Sequence, residues 1–265
     1  MELSHFHFVY TAMGGLYKMN RTFIISEILL IMLVLPIVLG AWQVSDEGSV
    51  NDNELMLKQA VELYQQKRFT EAEEIFNTLL NANPSNKEIF FWAALNYKDM
   101  KKFVEAQKCA ETGLETYPDD ISLRKIKSQI KIAMKEYEDA VDILEEAAEF
   151  KPDDIDIWLM LSFAYFAQKE FPDAIEAADK VIQMDPKKMD AYYLKGYSMI
   201  GRKKYEKAIS VFDEALKIEP GNISIKKGRD YADELLKKQK GSRKTDGPVQ
   251  QELYDNVSAT HLDGI

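Results

Sequence analysis

The sequence predicts an all-α protein: an α-solenoid of five helical hairpins with a C-terminal capping helix, preceded by one apolar helix that is a transmembrane anchor or a signal peptide. Three observations carry this. Proline recurs every 34 residues, at Pro84, Pro118, Pro152, Pro186 and Pro220. Small residues and aromatics recur at the same period, each in its own register. A single run near the N-terminus, Phe23 to Trp42, is dense in Ile, Leu and Val and holds one charge, Glu27. With proline at about 5% of residues, five such coincidences arise by chance with a probability on the order of 10⁻⁶.

Residues 1–21 form a short N-terminal segment. The part ahead of Met19 does not read as a leader, and Gly14-Gly15 can be encoded by a ribosome-binding sequence just upstream, so Met19 is a candidate true start. Residues 22–42 follow as the apolar helix. At about 1.5 Å per residue, some twenty residues reach about 30 Å, the thickness of a bilayer's hydrocarbon core. Lys18 and Arg21 precede the run, while Asp46, Glu47, Asp52 and Glu54 follow it. The positive-inside rule therefore puts the N-terminus in the cytoplasm and the repeats outside it, on a single-pass anchor. The alternative is a cleaved leader and a secreted or periplasmic product, which the small residues Gly40 and Ala41 after Pro36 also fit. Residues 43–52 read as a linker.

The repeats occupy 53–222, as units 53–86, 87–120, 121–154, 155–188 and 189–222. Ala60, Ala94, Ser128, Ser162 and Gly196 form one small register, and Ala72, Ala106, Ala140, Ala174 and Ala208 form a second. Both belong where the two helices of a hairpin approach closely and a larger side chain would force the axes apart. Phe69, Phe103, Tyr137, Phe171 and Tyr205 begin each second helix and fill the wedge between hairpins. Proline ends the unit because it cannot continue the preceding helix. Residues 223–240 read as a capping helix that covers the open face of the last hairpin, and 241–265 as a disordered tail.

Composition narrows the function classes. A formal net charge of -10 repels nucleic acid. The one cysteine, Cys109, forms no intrachain disulfide and reads as a buried, inert thiol. No histidine lies between residues 8 and 260, which removes His-based triads, Cys-His pairs and histidine metal sites from the repeats. Asp119-Asp120 and Asp153-Asp154 follow prolines and read as helix N-caps, not calcium ligands. The expectation is a protein with no catalytic residues, metal, cofactor or small-molecule substrate.

The repeat pattern resembles the tetratricopeptide repeat family over residues 53–222. The fourth unit carries the signature best, through Trp158, Leu161, Ser162, Tyr165, Ala174, Ala178 and Pro186, and the fifth is close, through Tyr192, Gly196, Tyr205, Ala208, Phe212, Ala215 and Pro220. The resemblance implies a right-handed solenoid that works as a protein–protein interaction scaffold or assembly factor. It also implies that first helices line a concave groove. Its contact positions carry over to Leu57, Val61, Tyr64, Phe91, Leu95, Lys98, Leu159, Phe163, Phe166, Tyr193, Tyr197 and Ile200. This set is mostly apolar and aromatic, which suits an apolar or amphipathic peptide. The lysine and asparagine clamp that some members use to hold a chaperone's terminal carboxylate is missing, since Leu57 and Val61 stand at its positions. Self-association through the groove, giving a homo-oligomer, is a further expectation.

Two departures from the family pattern stand out. In the third unit Arg124, Lys127 and Lys131 replace apolar residues, and Leu123, Ile126 and Ile130 lie one position earlier, so a helix rolled or slipped by one residue is expected. Arg124, Lys125, Lys127 and Lys131 then form a basic stripe, either a receptor for an acidic peptide or a solvated helix face. In every unit, lysine occupies the turn where the family commonly has glycine: Lys67, Lys101, Lys135, Lys169 and Lys203. Each cation suits a helix C-terminus, and the alternative is a row that meets an acidic partner or anionic lipid.

Overall fold

The computed structural model describes residues 52–82 and 85–241. The candidate start, the apolar helix 22–42, Pro84 and the tail beyond 241 lie outside these residues. Eleven helices and no strands make up the described chain. They are α1 (52–65), α2 (Phe69–Asn81), α3 (Lys87–Asp99), α4 (Phe103–Thr116), α5 (Ile121–Ala133), α6 (Tyr137–Phe150), α7 (Ile155–Gln168), α8 (Phe171–Met184), α9 (Met189–Gly201), α10 (Tyr205–Ile218) and α11 (Ile223–Gly241). The chain divides into two compact units, 1–59 and 60–265. Of the first, the described residues include only the opening of α1, where Leu57 is buried. The helices from α2 to α11 all belong to the second.

Each hairpin pairs an odd helix with the even helix after it. The recurring small residues set how closely they pack. Ala60, Ala94, Ser128 and Ser162 have no exposed surface, nor do Ala72, Ala106, Ala140, Ala174 and Ala208. Ser162 Oγ donates to the Ala174 carbonyl at 2.8 Å, tying the two small registers of one hairpin together. The five aromatics are the first residues of α2, α4, α6, α8 and α10. Asn86, Asp120 and Asp154 cap α3, α5 and α7 by accepting backbone N–H bonds, including Asp120 from Leu123 at 2.9 Å and Asp154 from Asp156 at 3.0 Å. Hairpins stack so that first helices touch the first helices of neighbouring hairpins, and α9 also touches α11. Second helices meet one another marginally at most. First helices therefore line one common side.

Every first helix ends in the same hydrogen-bonded turn. The N–H of Lys135 donates to the Ile132 carbonyl and that of Glu136 to the Lys131 carbonyl, both at 2.9 Å, and the pattern repeats at Lys67, Lys101, Lys169 and Lys203. These are Schellman motifs. Their five lysines have φ between 58° and 68°, the left-handed region where glycine is the usual occupant.

The expected slip of the third first helix does not occur. Leu123, Ile126, Ser128 and Ile130 are buried, as are their counterparts 34 residues on, Ile157, Met160, Ser162 and Ala164. Arg124 also keeps the role of its counterparts. It donates to the Pro118 carbonyl at 2.8 Å, as Trp158 Nε1 does to Pro152 at 2.8 Å and the Tyr192 hydroxyl to Pro186 at 3.2 Å. The register holds because three long cations reach carboxylates from apolar positions while burying their stems.

Candidate functional site

Of the residues carried over to the groove, Leu57 is buried in α1 and the others fall into two groups. In α7 and α9, Leu159, Phe163, Phe166, Tyr193, Tyr197 and Ile200 are at most 4% exposed. They belong to a continuous core that runs from Ile132 through α7 and α9 to Ile225, Ala232 and Leu235 of α11. Edge-on aromatic pairs knit it, with Tyr137 and Phe163 6.3 Å apart and Tyr197 and Phe212 5.8 Å apart. Tyr193 and Tyr197 lie 4.5 Å apart.

At the N-terminal end, Val61, Tyr64, Phe91, Leu95 and Lys98 are half-buried. Tyr64 and Phe91 are joined through Trp92, whose ring lies 5.6 Å from Tyr64 and 5.5 Å from Phe91. The Tyr64 hydroxyl donates to Asp99 at 2.5 Å. Burial, with that carboxylate, pushes the phenol well above its usual range. Lys98 donates to Gln129 at 3.2 Å and sits 3.6 Å from Asp99. Trp92 lies outside the family's contact positions, so the repeat register alone does not select it, and Asp99 is not among the residues carried over. The signal was the aromatic run Phe90-Phe91-Trp92, since no other unit has three consecutive rings in its first helix.

The basic stripe is spent within the chain. Arg124 pairs with Glu146 at 2.6 Å and covers the Phe150 ring at 5.2 Å. Lys125 reaches Asp156 at 2.7 Å and Asp154 at 3.3 Å. Lys127 pairs with Glu111 at 3.5 Å, and Lys131 with Glu136 at 2.6 Å and Asp139 at 2.7 Å. The stripe thus ties α5 to α4, α6 and α7.

Among the described residues, no group of three or more His, Cys, Asp or Glu side chains converges on a metal-sized site. No described helix is long and apolar enough to cross a membrane; the candidate span 22–42 lies outside the described residues. Cys109 is 6% exposed, with its Sγ 3.4 Å from the Phe90 carbonyl, and burial pushes the thiol up to about 12. Its alkylation by iodoacetamide at neutral pH is expected to run at least ~100-fold slower in the native protein than in urea, because the thiolate is the reactive form. Equal rates would show the thiol to be accessible.

Residues 131–200 and 189–222 match models of the tetratricopeptide repeat, and residues 52–147 match a model of anaphase-promoting complex, cyclosome, subunit 3. Residues 131–222 thus match the tetratricopeptide repeat, and the solenoid as a whole is tetratricopeptide-like. Solved structures agree on the fold. A tetratricopeptide repeat protein from Parabacteroides merdae superposes with a TM-score of 0.63 at 14% identity, over 71% of this chain and 75% of that one. MamA from Desulfovibrio magneticus gives 0.59 at 16% identity, over 64% of this chain and 97% of that one. A thermophilic tetratricopeptide repeat protein from Thermus thermophilus gives 0.54 at 17% identity, over 68% of this chain and 98% of that one. No curated protein matches the sequence. Tetratricopeptide repeat proteins generally mediate protein–protein interaction and are generally non-catalytic.

Proposed function

We propose that this protein is a non-catalytic interaction scaffold or assembly factor, tethered to a membrane through residues 22–42 with its tetratricopeptide repeats on the extracytoplasmic side. It holds an apolar or amphipathic peptide against the N-terminal end of the first-helix face. The observation that carries this reading is the half-buried set Val61, Tyr64, Phe91 and Leu95 around Trp92, bordered by Lys98. Partly exposed aromatics with a nearby polar rim are the composition of a binding hot spot. The matching positions of α7 and α9 are core.

The test is crosslinking in native membranes followed by mass spectrometry, comparing the intact protein with a Phe91→Glu, Leu95→Glu double variant. These half-buried positions tolerate the charge far better than Phe163 or Tyr197, whose replacement would break the core. A partner captured by the intact protein and lost with a folded variant supports the reading. Unchanged capture removes the groove from the mechanism. Sequencing the mature N-terminus decides the tether: a chain beginning after residue 41 is a cleaved, secreted or periplasmic product.

A further inference from the structure

The side of the solenoid away from the first-helix face carries a second candidate site. A half-open cavity of about 380 Å³ lies in the wedge between α6, α7 and α8. Four carboxylates rim it: Glu145 and Glu149 from α6, and Asp173 and Glu176 from α8. Its floor is apolar and aromatic, with Trp158, Leu161 and Tyr165 from α7. The Tyr165 hydroxyl donates to Glu145. Burial first, then Glu145 with Asp173 and Glu170 nearby, holds that phenol well above its usual range, as a concentrated negative field requires. Among the described residues none of the four carboxylates has a cationic partner.

The preceding repeat shows what such a wedge holds. Counting back 34 positions, the four carboxylates become Glu111, Glu115, Asp139 and Asp142, so the acidic rim is duplicated. The floor residues become Arg124, Lys127 and Lys131. There the chain supplies its own cations, with Lys127 on Glu111 at 3.5 Å and Lys131 on Asp139 at 2.7 Å. In the fourth repeat the rim is retained and the cations are replaced by two aromatics and a leucine. The Trp158 ring is held by its bond to the Pro152 carbonyl, and Lys180 Nζ sits 5.1 Å from its centroid, so the ring already attracts a cation.

We propose that this wedge binds an arginine or lysine side chain of a basic protein segment, so that a partner supplies in the fourth repeat the cation that the chain itself supplies in the third. Carboxylates above an aromatic floor match a guanidinium or ammonium group on an aliphatic stem, whereas a metal ion would need carboxylates converging on one point. The site is independent of the first-helix face and survives if that reading fails.

The test is calorimetric titration of the full-length protein with the peptide acetyl-Gly-Arg-Gly-Arg-Gly-amide and with its citrulline isostere. The arginine peptide is expected to bind at least about tenfold more tightly than the citrulline peptide, weakening with salt. A Glu149→Gln, Glu176→Gln variant, which keeps the shape, should lose about tenfold. Restoring the third repeat's cations, with Trp158→Arg, Leu161→Lys and Tyr165→Lys, should abolish binding; if that variant fails to fold, the carboxamide variant decides alone. Equal binding of the citrulline peptide, no binding at millimolar peptide, or unchanged binding by the carboxamide variant would overturn the proposal. Spermidine binding as tightly as the peptide would overturn the assignment to a protein segment.

Discussion

Replacing Phe212 with alanine is expected to destabilise the protein by about 3–5 kcal/mol, the range for removing a fully buried phenylalanine. The ring has no exposed surface and lies at the meeting point of α9, α10 and α11. Tyr197 packs edge-on against it at 5.8 Å. Gly196 and Gly228 leave room for it: a Cβ built on Gly196 would lie 2.3 Å from its Cζ, and one on Gly228 would lie 2.8 Å from the same atom. Two helices thus give up side chains to admit one ring, and no neighbour is placed to fill the void when the ring is gone. Because a solenoid's stability is a sum over neighbouring repeats, the loss should be local. Native-state hydrogen exchange should show protection falling in α9–α11 while α3 and α4 keep theirs; a uniform fall would show that the array unfolds as one unit. The same geometry predicts a coupled pair. Gly196→Ala should cost about 1–3 kcal/mol in the native background through overpacking, and close to nothing once Phe212 is alanine.

That cluster also shows what was legible in the sequence. The 34-residue registers placed the alanines, the small residues and the first aromatic of every second helix, because each register reports a steric requirement that every hairpin meets alike. The N-cap role of Asp120 and Asp154 was legible for the same reason. The fate of individual side chains on the first-helix face was not. Position in the repeat put Phe163 and Tyr197 in the groove, yet burial depends on what the other helices bring: Tyr137 of the preceding unit packs on Phe163, and Phe212 of the same unit packs on Tyr197. The third unit misled in the opposite sense. Three cations at apolar positions suggested a slipped helix, because hydropathy counts a lysine as wholly polar. Glu111, Glu146 and Asp139, on adjacent helices, accept the charges and let the stems stay where leucine or tyrosine would be. Partners on other helices are the information a periodic pattern omits.

The row of turn lysines sets the second large effect, and its sign is opposite. Changing Lys67, Lys101, Lys135, Lys169 and Lys203 together to glycine is expected to stabilise the protein by about 2 kcal/mol. A left-handed backbone costs a residue with a Cβ roughly 1–2 kcal/mol, and all five lysines have φ near 60°. Glycine returns about 0.5–1 kcal/mol of that through the larger entropy of its unfolded chain. Loss of each cation at a helix C-terminus removes a few tenths more. The balance is about 0.4 kcal/mol per turn, and the turns are far enough apart in sequence to add. For a domain of this size the sum should raise Tm by about 4–8 °C. Five lysine-to-asparagine changes provide the control, since asparagine tolerates the left-handed region without glycine's flexibility and also removes the charge. If both sets stabilise, the backbone term governs, and lysine is held at all five turns against the protein's own stability, which is the pattern of a residue kept for what its side chain meets. If both destabilise, the cations are worth more to the helix ends than the strain costs, and the row is explained by the fold.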